Sequence, residues 1–248
     1  MKTSLLSSVA IKKVANSARW IGAAAAFALL AGCATGPNAN PADPFEPFNR
    51  GVTRFNDTVD EAVLVPVATA YTRVLPSMVR TGVTNFFGNL GDVWSFANSV
   101  AQLKLQNSAE TFMRVNVNTF FGLGGLLDVA TEAGIDRHEE DFGQTLGRWG
   151  VGAGPYVVLP IFGPSTLRDT AALPVDRAGG VVSNMNDVAW RNSLSFLDAV
   201  DTRAKYLRAG RLIDDAALDK YTFTRDAFLQ HRRNDVYDGN PPDDENGK

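Results

Sequence analysis

The one cysteine of the chain, Cys33, sits where its type and spacing dictate a modification. It closes the run Leu30-Ala31-Gly32-Cys33, which matches the bacterial lipobox. There the thiol is acylated and the chain is cut after Gly32, by a peptidase that needs small side chains before the bond. Lys2, Lys12, Lys13 and Arg19 form a basic stretch without an acid, and Trp20 to Leu30 is apolar. That run is too short for a bilayer, which takes about 20 apolar residues, so it reads as a signal peptide. The alternative is an ordinary secretory signal with a stray cysteine, but a lone cysteine falls at that position by chance only rarely. The next residue is Ala34 rather than Asp. An Asp there resembles an inner-membrane retention signal in enteric-type bacteria, so Ala34 favours export to the outer membrane.

Other reactive side chains point to no catalysis. Ser165 lies outside any GxSxG, so a nucleophile elbow is absent. His138-Glu139-Glu140-Asp141 holds acid–base residue types, and reads as an exposed polar loop. His138 and His231 are far apart and no second cysteine joins them, which leaves too few ligands for zinc. The run Gly122-Leu123-Gly124-Gly125 is glycine-rich, but GxxxxGK[ST] and a preceding strand are missing. It reads as a turn or a tight helix contact rather than a phosphate cradle. We therefore expect no enzyme, no metal and no cofactor.

The elements that position these residues follow from composition and period. The chain has 248 residues, 45% hydrophobic and 21% charged, values of a globular protein. Removal of the signal peptide leaves 20 Lys and Arg against 27 Asp and Glu, a net charge of −7. Nucleic-acid binding needs the opposite sign. Without a thiol pair, no disulfide supports the body. Segment 1–32 is the signal peptide, 33–43 a lipidated tether, 44–238 the folded domain and 239–248 a disordered acidic tail.

Within the body, Phe45, Phe48, Val52, Phe55, Val59 and Val63 form one helical stripe, with Asp43 available as a cap. A second helical pattern runs from Val79 to Val100. Gly82, Gly88 and Gly91 interrupt it, so the period predicts helix segments there rather than one rod. Ser108, Phe112, Val115 and Thr119 mark another helix ending near Gly122. The stretch from Phe142 to Pro164 mixes Gly and Pro with large apolar side chains. Its glycines and prolines disfavour helix and strand interiors, and a hinged hairpin loop fits best. A helix starts near Pro164 to Asp169, another follows from Trp190, and a last covers Ala216 to Arg233. The fold class is mostly α: a single domain of amphipathic and broken helices. No apolar run after Cys33 is long enough to span a bilayer, so lipid contact comes from amphipathic faces and the anchor.

Four blocks then stand in order behind the lipobox. They are Asp43-Pro44-Phe45-Glu46-Pro47-Phe48-Asn49-Arg50, Asn85-Phe86-Phe87-Gly88-Asn89-Leu90, Gly122 to Ala130, and Phe142-Gly143-Gln144-Thr145-Leu146-Gly147 through Val158-Leu159-Pro160 to Leu167-Arg168-Asp169. With them the chain resembles the VacJ/MlaA family of phospholipid-handling lipoproteins, over roughly Asp43 to Asp235. The resemblance implies helices arranged as a ring around an amphipathic channel, on the periplasmic side of the outer membrane. It implies removal of phospholipid misplaced in the outer leaflet, its delivery to a periplasmic phospholipid carrier, and association with a trimeric porin. It implies a channel hinge and hairpin at Gly150, Val151, Gly152 and Gly154, and a channel-bordering helix carrying Asn49, Arg50 and Phe55. A plain Gly/Pro turn, and an aromatic stripe packed into a core, are the bland readings of the same residues. A structural or assembly lipoprotein without lipid transport is the rival function.

Overall fold

A computed structural model of the chain describes residues 43–242. Cys33, the signal peptide, nearly all of the tether and most of the acidic tail lie outside the described residues.

The body is mostly helical. Its helices are α1 (Glu46–Val59), α2 (Val65–Val74), α3 (Ser77–Ala101), α4 (Leu105–Phe120), the single turn α5 (Val129–Glu132), α6 (Phe142–Arg148), α7 (Leu167–Gly179), α8 (Val188–Ala216) and α9 (Lys220–Val236). A π-helical segment, Asp60–Leu64, joins α1 to α2. Strands β1 (Tyr156–Leu159) and β2 (Gly163–Thr166) form an antiparallel hairpin, with Tyr156 opposite Thr166 and Leu159 opposite Gly163. The contacts close a circuit. Helix α3 packs on α6 and α8, α6 on α9, α9 on β2, β1 on α1, α1 through the π-helical segment on α2, and α2 on α8.

What the helices bury inverts the usual pattern. The buried residues of α3 are Asn89, Asp92, Ser95, Asn98 and Ser99, and those of α4 are Ser108, Thr111, Arg114 and Asn118. Each set is a polar stripe at helical spacing. The apolar stripes read from the sequence point the other way: Phe48, Phe55, Val79, Val93, Phe112 and Phe120 are exposed. Single exposed apolar side chains are ordinary, but here they recur on α1, α3 and α4, with Phe45, Val59, Val83 and Phe86 of the same stripes half-buried. Apolar burial is confined to small patches such as Tyr156, Val158 and Tyr221, with Val52, Phe228 and Leu229 against them. Among the described residues no helix is long and apolar enough to cross a membrane.

Buried polar stripes need partners; ion pairs and side-chain amides supply most of them, while the Ser99 and Thr111 hydroxyls are left without one. Asn49 is fully buried; it donates to Asp43 and to the Tyr156 carbonyl, each at 3.1 Å, and accepts from the Val158 amide at 2.8 Å. That fastens α1 to β1. Asp43 does not cap α1, whose first turn has no side-chain cap; it is clasped by the Tyr221 hydroxyl and by Arg225 of α9.

Three further expectations are corrected. Helix α3 is one helix of 25 residues despite Gly82, Gly88 and Gly91. Tertiary packing outweighs the cost of about 1 kcal/mol per glycine, and the guanidinium of Arg137 occupies the space a side chain at Gly88 would need. The 142–164 stretch is not loop throughout: Phe142–Arg148 is helical, capped by Asp141 accepting from the Gln144 amide at 2.8 Å, and the hairpin is regular. Pro164 is tolerated in β2 because a two-stranded ribbon leaves each strand a free edge. The last helix starts later than expected, with Asp219 capping it at Tyr221 and Thr222.

The glycine run after α4 is a turn, as its sequence suggests. A Cβ at Gly122 would strike the backbone carbonyls of Asn118 and Leu127, which cannot move aside without breaking the turn. Gly122→Ala should therefore cost about 2 kcal/mol, read as a lowered midpoint of thermal unfolding in detergent.

Candidate functional site

Inside the circuit lies a cavity of about 860 Å³. Helix α3 supplies Asp92, Trp94 and Ser95, and the segment before α6 supplies Arg137, Glu139 and Glu140. Gln144 comes from α6, Asp198, Thr202, Lys205 and Tyr206 from α8, and His231, Arg232 and Asp235 from α9. Gly88 and Gly91 stand on the same wall. Its size suits a small organic group, and its lining sets many charged side chains beside apolar ones such as Phe87, Leu90 and Val181, where most ligand pockets carry only a few polar groups.

The charges are held by mutual pairing. Arg137 binds both oxygens of Asp92 at 3.0 Å, and Asp92 also faces Arg114 at 3.7 Å. Arg232 donates to Asp141 at 2.6 Å twice and to Asp169 at 2.9 Å. Burial alone would ease the Arg232 proton away, but those two carboxylates prevail and hold it on. Glu140 is buried and accepts from Lys104 at 2.6 Å and from Gln102 at 2.8 Å. The carboxyl of Asp198 is pushed above its ordinary range by partial desolvation and by the nearby Asp201, against the pull of Lys205. Among the described residues that line the cavity, one acceptor is left over: the Gln144 side-chain oxygen is buried without a partner.

The run His138 to Asp141 is thus not an exposed loop. His138 pairs with Glu110 at 2.5 Å, Glu140 is buried, and Asp141 caps α6 and holds Arg232. Three of the four acid–base groups are thus engaged in structure, and Glu139 is exposed. Among the described residues no cluster of His, Cys, Asp and Glu could hold a metal ion.

The residues expected at a hinge lie together beside the cavity. Gly150 and Gly154 have φ of 91° and 68°, conformations that favour glycine, whereas Gly152 does not need one. Gly150, Val151 and Gly152 line a second cavity of about 330 Å³, and Arg232 forms part of the wall of both. Of the residues expected on the bordering helix, Asn49 is buried against β1. Arg50 pairs with Asp219 at 2.6 Å and stacks over Tyr221. Phe55 is half exposed. None of the three lines the large cavity.

Sequence reasoning missed the cavity wall itself, because its charges come from four separate stretches. One signal was present: Asn89, Asp92, Ser95 and Ser99 recur at helical spacing opposite the apolar stripe.

The family described as MlaA lipoprotein matches residues 41–235. The chain is 36% identical over 210 residues to the intermembrane phospholipid transport system lipoprotein MlaA of Escherichia coli (strain K12), covering 82% of each chain. It is 34% identical over 227 residues to the protein of that name from Haemophilus influenzae, covering 85% of this chain and 87% of that one. A solved structure, from work on the structural basis for maintenance of bacterial outer membrane lipid asymmetry, matches with a TM-score of 0.69 and 34% sequence identity. That match covers 80% of this chain and 99% of the other.

Proposed function

Since the chain belongs to the MlaA lipoprotein family, we propose that it withdraws phospholipid misplaced in the outer leaflet of the outer membrane and hands it through its polar cavity to a periplasmic carrier. Acylation at Cys33 anchors it to the inner face of that membrane, beside a trimeric porin. No covalent step is involved.

One observation carries this reading: the long helices α3 and α4 bury polar side chains and expose apolar ones. Exposing acyl chains to water costs about 0.8 kcal/mol per CH₂, so lipid leaving a bilayer needs cover along its whole path. A charged cavity of about 860 Å³ accepts a head group, while exposed apolar helix faces keep the tails company. Polar side chains turned towards a water-filled interior are the arrangement a lipid-facing protein requires.

The test is the lipid itself. Gently purified protein should carry phospholipid detectable by mass spectrometry, and cells lacking the protein should accumulate phospholipid in the outer leaflet. A lipid-free protein and an unchanged outer leaflet would favour the structural or assembly role. Release of fatty acid from labelled phospholipid would argue for an enzyme instead.

The loop from Gly150 to Gly154 is the proposed hinge between α6 and the hairpin. Proline locks φ near −65°, against the 91° of Gly150. Gly150→Pro should sharply reduce outer-leaflet clearance. Gly152→Ala should leave it unchanged, because a Cβ there meets nothing within 4 Å.

A further inference from the structure

On α2, Val67, Ala70 and Val74 face Phe196, Leu197 and Val200 of α8 across a groove of about 340 Å³. Its lining is almost wholly apolar; Val200 is buried at its floor and Phe196 is exposed.

Tyr71, in its wall, also lines a neighbouring passage of about 260 Å³ whose mixed lining includes Arg80, Thr84, Asp201 and Lys205. Thr84 and Lys205 in turn line the central cavity. Groove, passage and cavity are therefore neighbours, each sharing a side chain with the next, and charged residues enter the lining from the second onward.

At the passage, Asp201 is 2% exposed and gathers three partners. The Tyr71 hydroxyl donates to it at 2.9 Å, the Thr84 hydroxyl at 2.8 Å, and the Lys205 ammonium lies at 3.2 Å. One carboxylate thus ties α2, α3 and α8 at this point. An ammonium has three donors, and Asp201 engages only part of that capacity. The Lys205 side chain is 45% exposed, so an incoming anion can reach it.

An apolar protein segment would match the groove but not the cationic passage behind it. A free anion would match the passage but not the groove. A molecule with a phosphate between a polar head and an acyl chain matches the sequence of all three.

We propose that the α2–α8 groove holds an acyl chain of a phospholipid whose head group lies in the central cavity and whose phosphate is met by Lys205 and Arg80, so that lipid enters sideways between α2 and α8. This rests on the phospholipid-transport reading above and adds the route and the anchor.

The experiment uses the full lipidated chain in bilayer discs containing phosphatidylethanolamine with a photoreactive group in the acyl chain. Peptide mapping should find adducts on the 67–74 and 196–200 segments, and also on the exposed Phe120 and Phe121, which serve as the bilayer control. In Lys205→Gln, adducts in the groove should fall about tenfold, the worth of one charged hydrogen bond, while those at Phe120 and Phe121 hold steady. Ala70→Phe, at an exposed groove position, should remove adducts at Leu197 and Val200 without lowering the unfolding midpoint.

Groove adducts that ignore both substitutions would mean ordinary bilayer contact and would overturn the proposal. So would a protein segment found seated on the groove in place of lipid. Phospholipid counted in the same sample separates the two claims: lipid bound with an unlabelled groove refutes the route alone, and no lipid at all refutes the transport reading with it.

Discussion

Gly91→Trp should leave the fold intact and bring lipid clearance close to that of cells without the protein. Gly91 lies on the cavity face of α3, and a Cβ built there meets nothing within 4 Å. An indole at that position grows into the opening instead of into a neighbour. Within a helix, Gly→Trp also gains a few tenths of a kcal/mol of propensity, roughly, so stability should hold. Gly91→Ala is the control, with clearance retained and stability raised by up to about 1 kcal/mol. The readouts are outer-leaflet phospholipid in cells, lipid retained per protein, and the unfolding midpoint. Normal clearance by a folded Gly91→Trp protein would mean that lipid does not travel through this cavity. Gly88, one turn away, would be the wrong site for this test, since a side chain there drives into Arg137 and disturbs its pair with Asp92.

Arg114→Leu should be the most destabilising single change, by about 3–5 kcal/mol, or a midpoint lowered by about 10 °C for a body of this size. Arg114 is wholly buried. It donates to both oxygens of Asp128 at 2.8 and 2.9 Å, to Thr131 at 3.0 Å and to the Ile135 carbonyl, and it stands 3.7 Å from Asp92. Leucine fills the volume and leaves those acceptors bare. The effect depends on pH. Burial pushes the Asp128 carboxyl up, but donors from Thr131, Asn118 and Arg114 outweigh it and lower it to about 2. A depressed carboxylate stabilises fully above its unfolded value of about 3.9, and that support disappears as pH falls through the folded one. The gap between wild type and Arg114→Leu should be widest near neutrality and narrow between about pH 4 and pH 2. Denaturant unfolding at a series of pH values measures it; a gap that stays constant would show that Asp128 is not the main partner lost.

Much of the fold was legible because helix period survives whatever surrounds the helix. Phe48, Val52 and Phe55 predict α1, and Trp190, Leu194 and Leu197 predict α8, where those helices stand. What period does not reveal is which phase the apolar side meets. The same spacing that buries Phe45, Phe48 and Phe55 in an ordinary protein leaves Phe48 and Phe55 exposed here, with Asn49 buried between them in sequence. The unbroken course of α3 was hidden for a related reason: the room left by Gly88 is used by Arg137, and that arginine is distant in sequence. The hairpin was visible as a Gly- and Pro-rich apolar stretch, but its strand pairing depends on Asn49, far upstream. The cavity wall was the least legible part, since Asp92, Arg137, Asp198 and Arg232 share no motif and meet only in space.

The clasp on Asp43 has a mechanical corollary. Asp43 is the first of the described residues, and Asn49 of α1 also donates to it, so the amino-terminal edge of the described body is fastened there. Tyr221 and Arg225 hold it to the front of α9. His231 and Arg232 lie further along that helix, beyond the point of attachment. A pull applied at Asp43 would thus load the front of α9 before it reached the stretch of that helix that walls the cavity.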